Sequence, residues 1–259
     1  LKEYMEVQGY GTAARWVYAH AVDPGDWRED GLISIQEIRQ VHALAMNPVW
    51  QVAPHPEATD REAPGMFREH DIHPFGGGMT PPPWPLVPAR VQDWVDDVNG
   101  TVFRDGGSEP LPERLARLHN GFEKVHPYID GNGRAGRLML NLLLVRLGYP
   151  PVIVLKQQRS AYLGAMQRAD DRDYGPLGEI LARAMYDNLN RFIVPSLAGP
   201  ARVVPLAALV NEEFTLAALR QAAQRGRLDA IHGTDGIWRS SRKAVEEYRR
   251  TKRRPPRKV

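Results

Sequence analysis

The residues best suited to chemistry lie in one short stretch, His126-Pro127-Tyr128-Ile129-Asp130-Gly131-Asn132-Gly133-Arg134-Ala135-Gly136-Arg137. His126 has a side chain whose pKa suits the removal of a proton from a hydroxyl near neutral pH. Asp130 is a hard oxygen ligand of the kind that Mg²⁺ takes beside nucleotide phosphates. Gly131 and Gly133 permit positive φ, so that consecutive backbone N–H groups can form an anion-binding nest.

Two arginines follow these glycines at the start of a predicted helix. Arg134 and Arg137 lie on neighbouring faces of its first turn, where guanidinium groups can clamp phosphate oxygens. The helix N-terminus itself favours an anion. Each feature alone is common in loops without such a role. Together, and in this order, a base, a metal ligand, a phosphate nest and two cations predict transfer of a group from a nucleotide.

Strong helical patterns flank this stretch and must position it. The helix before it has apolar residues at helical spacing, namely Leu111, Leu115, Leu118, Phe122 and Val125. Pro127 disfavours helical geometry at His126, so this helix is predicted to end there. The helix after it, over about 134–147, is apolar on most sides, which predicts a place at the centre of a helical bundle.

The rest of this region also predicts helices and few strands. Ser34 and Glu37 form a capping box that opens one helix, and the apolar spacing predicts others over 4–21, 157–169 and 175–194. Residues 47–88 are rich in proline and glycine and too long for a simple connection, so they predict a functional loop or hairpin.

The stretch 126–137 resembles the signature of the Fic family, His-Pro-Phe-x-(Asp/Glu)-Gly-Asn-Gly-Arg-x-x-Arg, with Tyr128 in place of phenylalanine. The resemblance extends over residues 1–198, including an N-terminal helical part over 1–33, a flap region over 66–84 and the helix with Arg159 and Tyr162. It implies a mainly α fold, a Fic-type helical bundle with a β-hairpin flap.

The resemblance implies an enzyme that transfers AMP from ATP to a Ser, Thr or Tyr hydroxyl of a target protein. His126 is then the general base, and Asp130 holds Mg²⁺. The flap docks the target's backbone as an added strand. The remaining residues bind the nucleotide: Gly131, Asn132 and Gly133 hold phosphate through backbone and amide donors, and Arg134 and Arg137 neutralise the outer phosphates.

Many family members carry an inhibitory Ser/Thr-x-x-x-Glu helix whose glutamate pairs with the second arginine of the signature, here Arg137. This sequence contains no Ser or Thr followed four residues later by Glu. We therefore expect the inhibitory glutamate upstream of Leu1 or on a partner protein.

The C-terminal part differs in charge. The net charge is +3, yet residues 199–259 carry 14 Lys and Arg against 6 Asp and Glu. After a linker at 199–204, residues 205–250 resemble excisionase- or MerR-like winged helix-turn-helix units, with a short helix over 206–211, a helix that begins after Thr215, a hairpin at Thr234-Asp235-Gly236 and a last helix over 241–249. A basic tail occupies 251–259.

This resemblance implies DNA binding, because exposed polar and basic side chains reach base edges and phosphates. The residues expected to contact DNA are Arg220, Gln221 and Gln224 on the second helix, and Arg239, Arg242 and Lys243 around the hairpin. The alternative is an accessory domain that binds protein.

Composition excludes several other classes. The chain of 259 residues has no cysteine, which rules out disulfides, thiolate metal sites and a cysteine nucleophile. No secretion signal or membrane span is apparent, so the expected location is cytoplasmic. Removal of AMP, transfer of another phosphate-containing group, and a DNA-bound regulator that senses nucleotide remain alternatives to AMP transfer.

Overall fold

The computed structural model describes residues 1–25, 31–73, 79–100, 109–194 and 199–252. The chain divides into two compact units, residues 1–184 and 185–259.

The first unit is built from seven helices in its described residues, the last of which runs a few residues past the boundary. They are α1 (Lys2–Val22), α2 (Ile35–Val52), α3 (Val87–Asn99), α4 (Leu111–Val125), α5 (Asn132–Arg146), α6 (Arg159–Asp170) and α7 (Gly175–Asn188). Short 3₁₀ turns precede α3 at Trp84–Leu86 and α6 at Lys156–Gln158.

Helix α5 lies at the centre of this unit, as its apolar sequence predicts. It contacts α1, α2 and α4, and most of its side chains are buried. The core residues of α5 are Leu138, Met139, Leu140, Leu142, Leu143 and Leu144. The helix begins at Asn132, two residues earlier than predicted, because Gly131 and not Gly133 has the positive φ that precedes it.

The predicted capping box opens α2. The Ser34 hydroxyl accepts the Glu37 N–H at 3.2 Å, and the Glu37 carboxylate accepts the Ser34 N–H at 2.8 Å. The Glu37 carboxylate is buried and also contacts Arg146 Nη2 of α5 at 2.6 Å and His20 Nε2 of α1 at 2.8 Å. One carboxylate thus joins helices α1, α2 and α5.

The flap region differs from the predicted hairpin. Residues 66–73 and 79–84 form no strand, and the tip at 74–78 lies outside the described residues. Prolines 81–83 supply no backbone N–H groups for a ladder. Instead, the Arg68 guanidinium donates to the carbonyls of His70, at 3.0 Å, and Pro82, at 2.6 Å. A side chain therefore holds the two limbs of the flap in place of paired strands.

The second unit has a small core around a three-stranded antiparallel sheet, in the order β1 (Val204–Pro205), β3 (Trp238–Ser240), β2 (Ala230–His232). Two helices complete it, α8 (Leu216–Gln224) and α9 (Arg242–Lys252). The Thr215 hydroxyl caps α8 by accepting the Ala218 N–H, as predicted. The core includes Leu206, Leu209, Phe214, Leu219, Leu228 and Val245.

The hairpin between β2 and β3 is present where predicted, with Gly236 at positive φ in its turn. The predicted helix over 206–211 is wrong, because only Leu206–Leu209 form a 3₁₀ turn and Val210 is extended. The Asn211 side chain accepts the N–H groups of Glu213 and Phe214, which favours a turn over further helix. None of the described helices is long and apolar enough to cross a membrane.

Candidate functional site

His126 lies where α4 ends and the signature loop begins. It adopts left-handed geometry with φ of 47°, which ends the helix one residue before Pro127, as predicted. Its Nδ1 lies 3.1 Å from the Glu123 carbonyl oxygen. Because a carbonyl can only accept, this contact places a hydrogen on Nδ1 and the lone pair of the neutral ring on Nε2. The ring is therefore in the tautomer that can take a proton through Nε2.

The glycines of the loop have different roles. Gly131 has φ of 80°, and a Cβ there would lie 2.6 Å from the Met46 sulfur, so the position needs glycine on two counts. Gly133 lies inside the first turn of α5 and does not have the predicted positive φ. The N–H groups at the start of α5 still form a helix N-terminus, which is suited to an anion.

Asn132 is placed differently from the prediction. Its side chain is buried, donates to the Tyr128 carbonyl at 2.7 Å and accepts the Tyr128 N–H at 2.8 Å. The amide therefore holds the loop together, and it is not directed at a phosphate. Of the two donors expected from Asn132, the side-chain amide is engaged within the loop, and only the backbone N–H remains for a phosphate.

Tyr128 anchors the loop in the core despite replacing phenylalanine. Its hydroxyl donates to the Ile38 carbonyl at 3.0 Å, so the added polar group is satisfied. His42 of α2 stacks on the ring with centroids 3.5 Å apart. The Gly65 N–H donates to His42 Nδ1 at 2.8 Å, which leaves His42 Nε2 to donate to the Asp130 carbonyl at 2.8 Å. Burial lowers the pKa of His42 to about 4, so it is neutral at pH 7.

The two arginines of the signature have different surroundings. Arg134 forms ion pairs with Asp130, at 3.2 Å, and with Glu6 of α1, at 3.5 Å. Arg137 lies near the Tyr162 hydroxyl, on the wall of a cavity that both side chains line. The two arginines of the predicted clamp therefore lie in different places. Arg134 is paired with carboxylates at the loop, and Arg137 is on the cavity wall.

A cavity of about 650 Å³ opens beside the loop within the first unit. Of the predicted site residues, its walls include His126, Gly133 and Arg137. The other walls come mainly from α6 and the segment before it, and combine apolar and charged side chains. These are Val154, Leu155, Lys156, Arg159, Tyr162, Leu163, Met166, Gln167 and Asp170, with Met79 of the flap and Glu123 of α4. A cavity of this size with an apolar wall and convergent cations suits a nucleotide.

Glu123 is a buried acid on this wall that the sequence pattern did not indicate. Burial raises its pKa to about 7, while the charge of Arg137 acts in the opposite direction. Its Oε1 has no hydrogen-bond partner among the described residues. A Cβ at Gly136 would lie 2.2 Å from that oxygen, so glycine at 136 makes room for the carboxyl.

His119 and Tyr162 complete a buried network behind Arg137. His119 Nε2 lies 2.6 Å from the Tyr162 hydroxyl oxygen. Burial, with the charge of Arg137, lowers the pKa of His119 to about 3, and burial raises the pKa of Tyr162 above its ordinary value. Both groups are therefore neutral at pH 7. Tyr162 was named from the sequence only as part of a helix over which the family resemblance extends, and no sequence pattern separated His119 from ordinary core residues.

Burial also lowers the pKa of His126, and the positive charge of Arg68 acts in the same direction. The hydrogen bond to the Glu123 carbonyl and the charge of Asp130 oppose these effects. The net direction keeps His126 neutral at pH 7, which a general base requires.

Asp130 can take part in a metal site only together with other ligands. One oxygen of its carboxylate already accepts the Gly131 N–H at 2.6 Å and a hydrogen bond from Arg134. No group of three or more His, Asp or Glu suited to a metal occurs in the parts of the chain that are described. Mg²⁺ commonly uses one carboxylate with substrate phosphates and waters, so Asp130 fits an ion that arrives with a nucleotide.

In the second unit, Arg220, Gln221 and Gln224 lie exposed on α8, and Arg242 and Lys243 are exposed at the start of α9. Arg239 is engaged within the hairpin, where its guanidinium binds the carboxylate of Asp235. That pairing lowers the pKa of Asp235 below its usual range. Five of the six predicted DNA contacts are thus accessible side chains, and the sixth already has a carboxylate partner.

Residues 32–144 match the model of the Fic/DOC family. This stretch, somewhat less than half of the chain, is therefore similar to Fic/DOC domains. The match begins three residues before α2, ends in the last turn of α5 and contains the whole signature loop.

Relatives of the chain carry the same domain in longer proteins. The protein adenylyltransferase Fic of Drosophila virilis is 28% identical over 223 residues, which are 85% of this chain and 41% of the relative. That of Drosophila willistoni is 30% identical over 196 residues, which are 74% of this chain and 34% of the relative. The chain thus spans less than half the length of these relatives.

A solved structure also shares the fold. Fic-1 (residues 134–508) of Caenorhabditis elegans superposes with a TM-score of 0.60 at 26% identity, over 76% of this chain and 52% of that one. The helical arrangement described above is therefore a Fic fold, with relatives that are named adenylyltransferases.

Proposed function

We propose that this protein transfers AMP from ATP to a hydroxyl side chain of a target protein. The observation that carries the proposal is the geometry of His126, which lines the cavity and whose Nδ1–H is held by the Glu123 carbonyl, so that Nε2 carries the lone pair of a base. The adjacent cavity, the α5 N-terminus and Arg137 supply sites for the nucleotide. The relatives named protein adenylyltransferase support the same reaction.

In this reaction His126 Nε2 accepts the proton of the target's Ser, Thr or Tyr hydroxyl. The hydroxyl oxygen forms a bond to the α-phosphorus of ATP, while the bond from that phosphorus to the bridging oxygen of the β-phosphate breaks. Pyrophosphate leaves with the electron pair. Arg137 on the cavity wall and the N–H groups of α5 neutralise the phosphate charge. Mg²⁺ held by Asp130 would add charge neutralisation at the phosphates.

Incubation with Mg²⁺ and ATP, followed by intact-mass measurement of the protein and of proteins in a lysate, tests this proposal. We expect an adduct with the mass of AMP that is absent with His126→Ala. Incubating an already modified target with the enzyme separates addition of AMP from its removal. An adduct of another mass would favour transfer of a different group, and loss of AMP would favour the reverse activity.

We also propose that Arg137 is the point at which the enzyme is inhibited. A glutamate from upstream of Leu1 or from a partner protein would pair with its guanidinium and displace a nucleotide phosphate. A longer form of the protein should then transfer AMP more slowly than residues 1–259, and Arg137→Lys should reduce that difference. Equal rates for the two forms would contradict an upstream inhibitory segment.

DNA binding by the second unit is a separate proposal, supported by the exposed Arg220, Gln221 and Gln224 on α8 and by Arg242 and Lys243. Titration of a fluorescent duplex at several salt concentrations tests it. Alanine at the three α8 positions should weaken binding, whereas Arg183→Ala, at an exposed arginine of α7 in the first unit, should not. ATP-dependent DNA binding without any AMP transfer would instead support the nucleotide-sensing regulator.

A further inference from the structure

Arg68 is a wholly buried arginine whose guanidinium binds three backbone carbonyls from three segments. Its Nε donates to the His126 carbonyl at 2.9 Å, Nη1 to His70 at 3.0 Å and Nη2 to Pro82 at 2.6 Å. Its own N–H donates to the Pro127 carbonyl at 2.9 Å. Asp71 is an ion-pair partner at 3.7 Å, although its carboxylate is largely exposed. Residues before and after the flap tip are thereby tied to the residue predicted to act as base.

Only arginine satisfies this arrangement with one side chain. The planar guanidinium presents donors in a fixed fork, whereas a lysine ammonium is a point charge that cannot reach three separated carbonyls in this geometry. The site also stabilises a conformation that costs free energy, because a non-glycine residue at φ of 47° lies in a sparsely populated region.

The charge of Arg68 also bears on His126. The groups that act on the ring come from three segments: the Glu123 carbonyl of α4, Asp130 of the loop and Arg68 of the flap base. Arg137, Arg159 and Asp170 are the other charged groups that line the same cavity together with Lys156 and Glu123. Arg68 disfavours a second positive charge on the imidazole.

We propose that Arg68 is a positioning residue that joins the base of the flap to the signature loop and fixes His126 for proton transfer. This inference rests on the proposed function for its catalytic meaning. The structural part of the proposal is that one guanidinium couples the loop to the flap base. This coupling can be measured without assaying any reaction. Contacts made by the target or the nucleotide on the flap would then be transmitted to His126 through this side chain.

The test compares the protein with Arg68→Lys and Arg68→Met. Exchange of backbone amide hydrogens should become faster in both variants. The increase should occur both in the loop at 126–128 and in the flap limbs at 68–73 and 79–84. The His126 pKa, followed by NMR in the absence of Mg²⁺ and assigned with His126→Ala, should rise in Arg68→Met. It should stay nearer the wild-type value in Arg68→Lys, which keeps the charge.

Activity gives a further readout. In Arg68→Lys the kcat for AMP transfer should fall about 10-fold or more with a smaller change in the KM for ATP, because the base is misplaced while the cavity is retained. Arg39→Lys is the matched control. Arg39 also donates to a backbone carbonyl, that of Gly65 at 2.8 Å, and stacks over Phe67, but it makes no hydrogen bond to His126.

The outcomes separate the two proposals. Changes in exchange and His126 pKa with no AMP transfer by the wild-type protein would support the coupling and contradict the proposed function. AMP transfer by the wild type, with unchanged exchange in both variants and an unchanged His126 pKa in Arg68→Met, would overturn the role of Arg68. If Arg68→Met does not fold, Arg68→Lys decides the question through exchange and kcat.

Discussion

Glu123 has two roles at the residue scale. Its backbone carbonyl sets the tautomer of His126, and its carboxyl lies beside Arg137 with a pKa near 7. In the proposed enzyme, the ionised carboxylate above that pH would attract Arg137 and compete with nucleotide phosphates, whereas the neutral acid below it would not. We therefore predict that nucleotide affinity is linked to protonation of this buried side chain.

Replacing Glu123 with glutamine should therefore change how affinity depends on pH. We expect Glu123→Gln to bind ATP a few-fold more tightly than the wild type at pH 8.5, and with nearly equal affinity at pH 6, because both side chains are then neutral. Calorimetric titration at the two pH values measures this. The phosphate groups of ATP titrate identically for both proteins, so they cancel in the comparison. Equal affinities of the two proteins at pH 8.5 would contradict competition for Arg137.

A substitution at Gly136 tests how closely α4 and α5 approach each other beside Glu123. A methyl group there would overlap the Glu123 Oε1, at 2.2 Å, so Gly136→Ala should lower the free energy of unfolding by about 1–3 kcal/mol. Gly164→Ala is the matched control, because nothing lies within 4 Å of its Cβ position in α6. That substitution should raise stability by about 0.5–1 kcal/mol. Urea unfolding of both variants measures these changes. An unchanged free energy of unfolding in Gly136→Ala would show that the Glu123 carboxyl can move aside.

At the scale of elements, the Glu37 carboxylate connects three helices, since it caps α2 and binds His20 of α1 and Arg146 of α5. The side chains of Glu37 and Arg146 are completely or almost completely buried. Removing one partner of a buried pair leaves an uncompensated charge, which is more costly than the pair is stabilising.

Glu37→Gln should consequently destabilise the protein by about 3 kcal/mol or more, because Arg146 remains charged without a carboxylate. Glu179→Gln removes one partner of the exposed pair with Arg183 and should cost no more than about 0.5 kcal/mol. Thermal or urea unfolding compares the two. Similar decreases in the free energy of unfolding of Glu37→Gln and Glu179→Gln would mean that Arg146 contacts solvent or another acceptor once the Glu37 carboxylate is removed.

The sequence was most informative about elements with strong local signals. The Ser34–Glu37 box, the end of α4 at Pro127 and the apolar α5 all follow from short-range rules, and the structure confirms them. The contacts that set the loop's geometry were not predictable in the same way. Arg68 reaches His126 across 58 residues and His42 reaches Asp130 across 88, and no local pattern distinguishes either side chain from its neighbours.

The flap and Asn132 show what local reasoning lacked. The proline- and glycine-rich segment was predicted to be a functional loop or hairpin, with a hairpin flap implied by the family resemblance, and its described limbs are joined by a guanidinium and form no strands. Asn132 was assigned to phosphate by the same resemblance, through backbone and amide donors; its buried amide closes the Tyr128 turn, and its place at the nucleotide stays a prediction. The partner of a polar side chain depends on tertiary packing, which local patterns do not specify.

At the scale of the whole molecule, buried titratable groups couple stability to pH. His42 and His119 have pKa values of about 4 and about 3, below the ordinary value of 6.5, so each disfavours the folded state as the pH falls from 6.5. Glu123, with its pKa raised from 4.5 to about 7, has the opposite effect over 4.5 to 7. Between pH 6.5 and 4.5 the two histidines outweigh the single carboxyl.

Stability should therefore fall by roughly 1 kcal/mol for each pH unit across that window, on the order of the value for one net proton taken up on unfolding. Glu123→Gln removes the opposing group, so its stability should fall about twice as steeply. Urea unfolding at pH 6.5, 5.5 and 4.5 for both proteins provides the data. If stability fell equally steeply with pH in the wild type and in Glu123→Gln, the raised pKa of Glu123 would be contradicted.

The most direct test of the central claim, that His126 activates a hydroxyl for transfer of AMP, uses ATP labelled separately on its α- and γ-phosphates. We predict that the α-label alone becomes attached to protein, that one pyrophosphate is released for each AMP attached, and that His126→Ala abolishes both. Attachment of the γ-label, or undiminished attachment of the α-label by His126→Ala, would contradict the account.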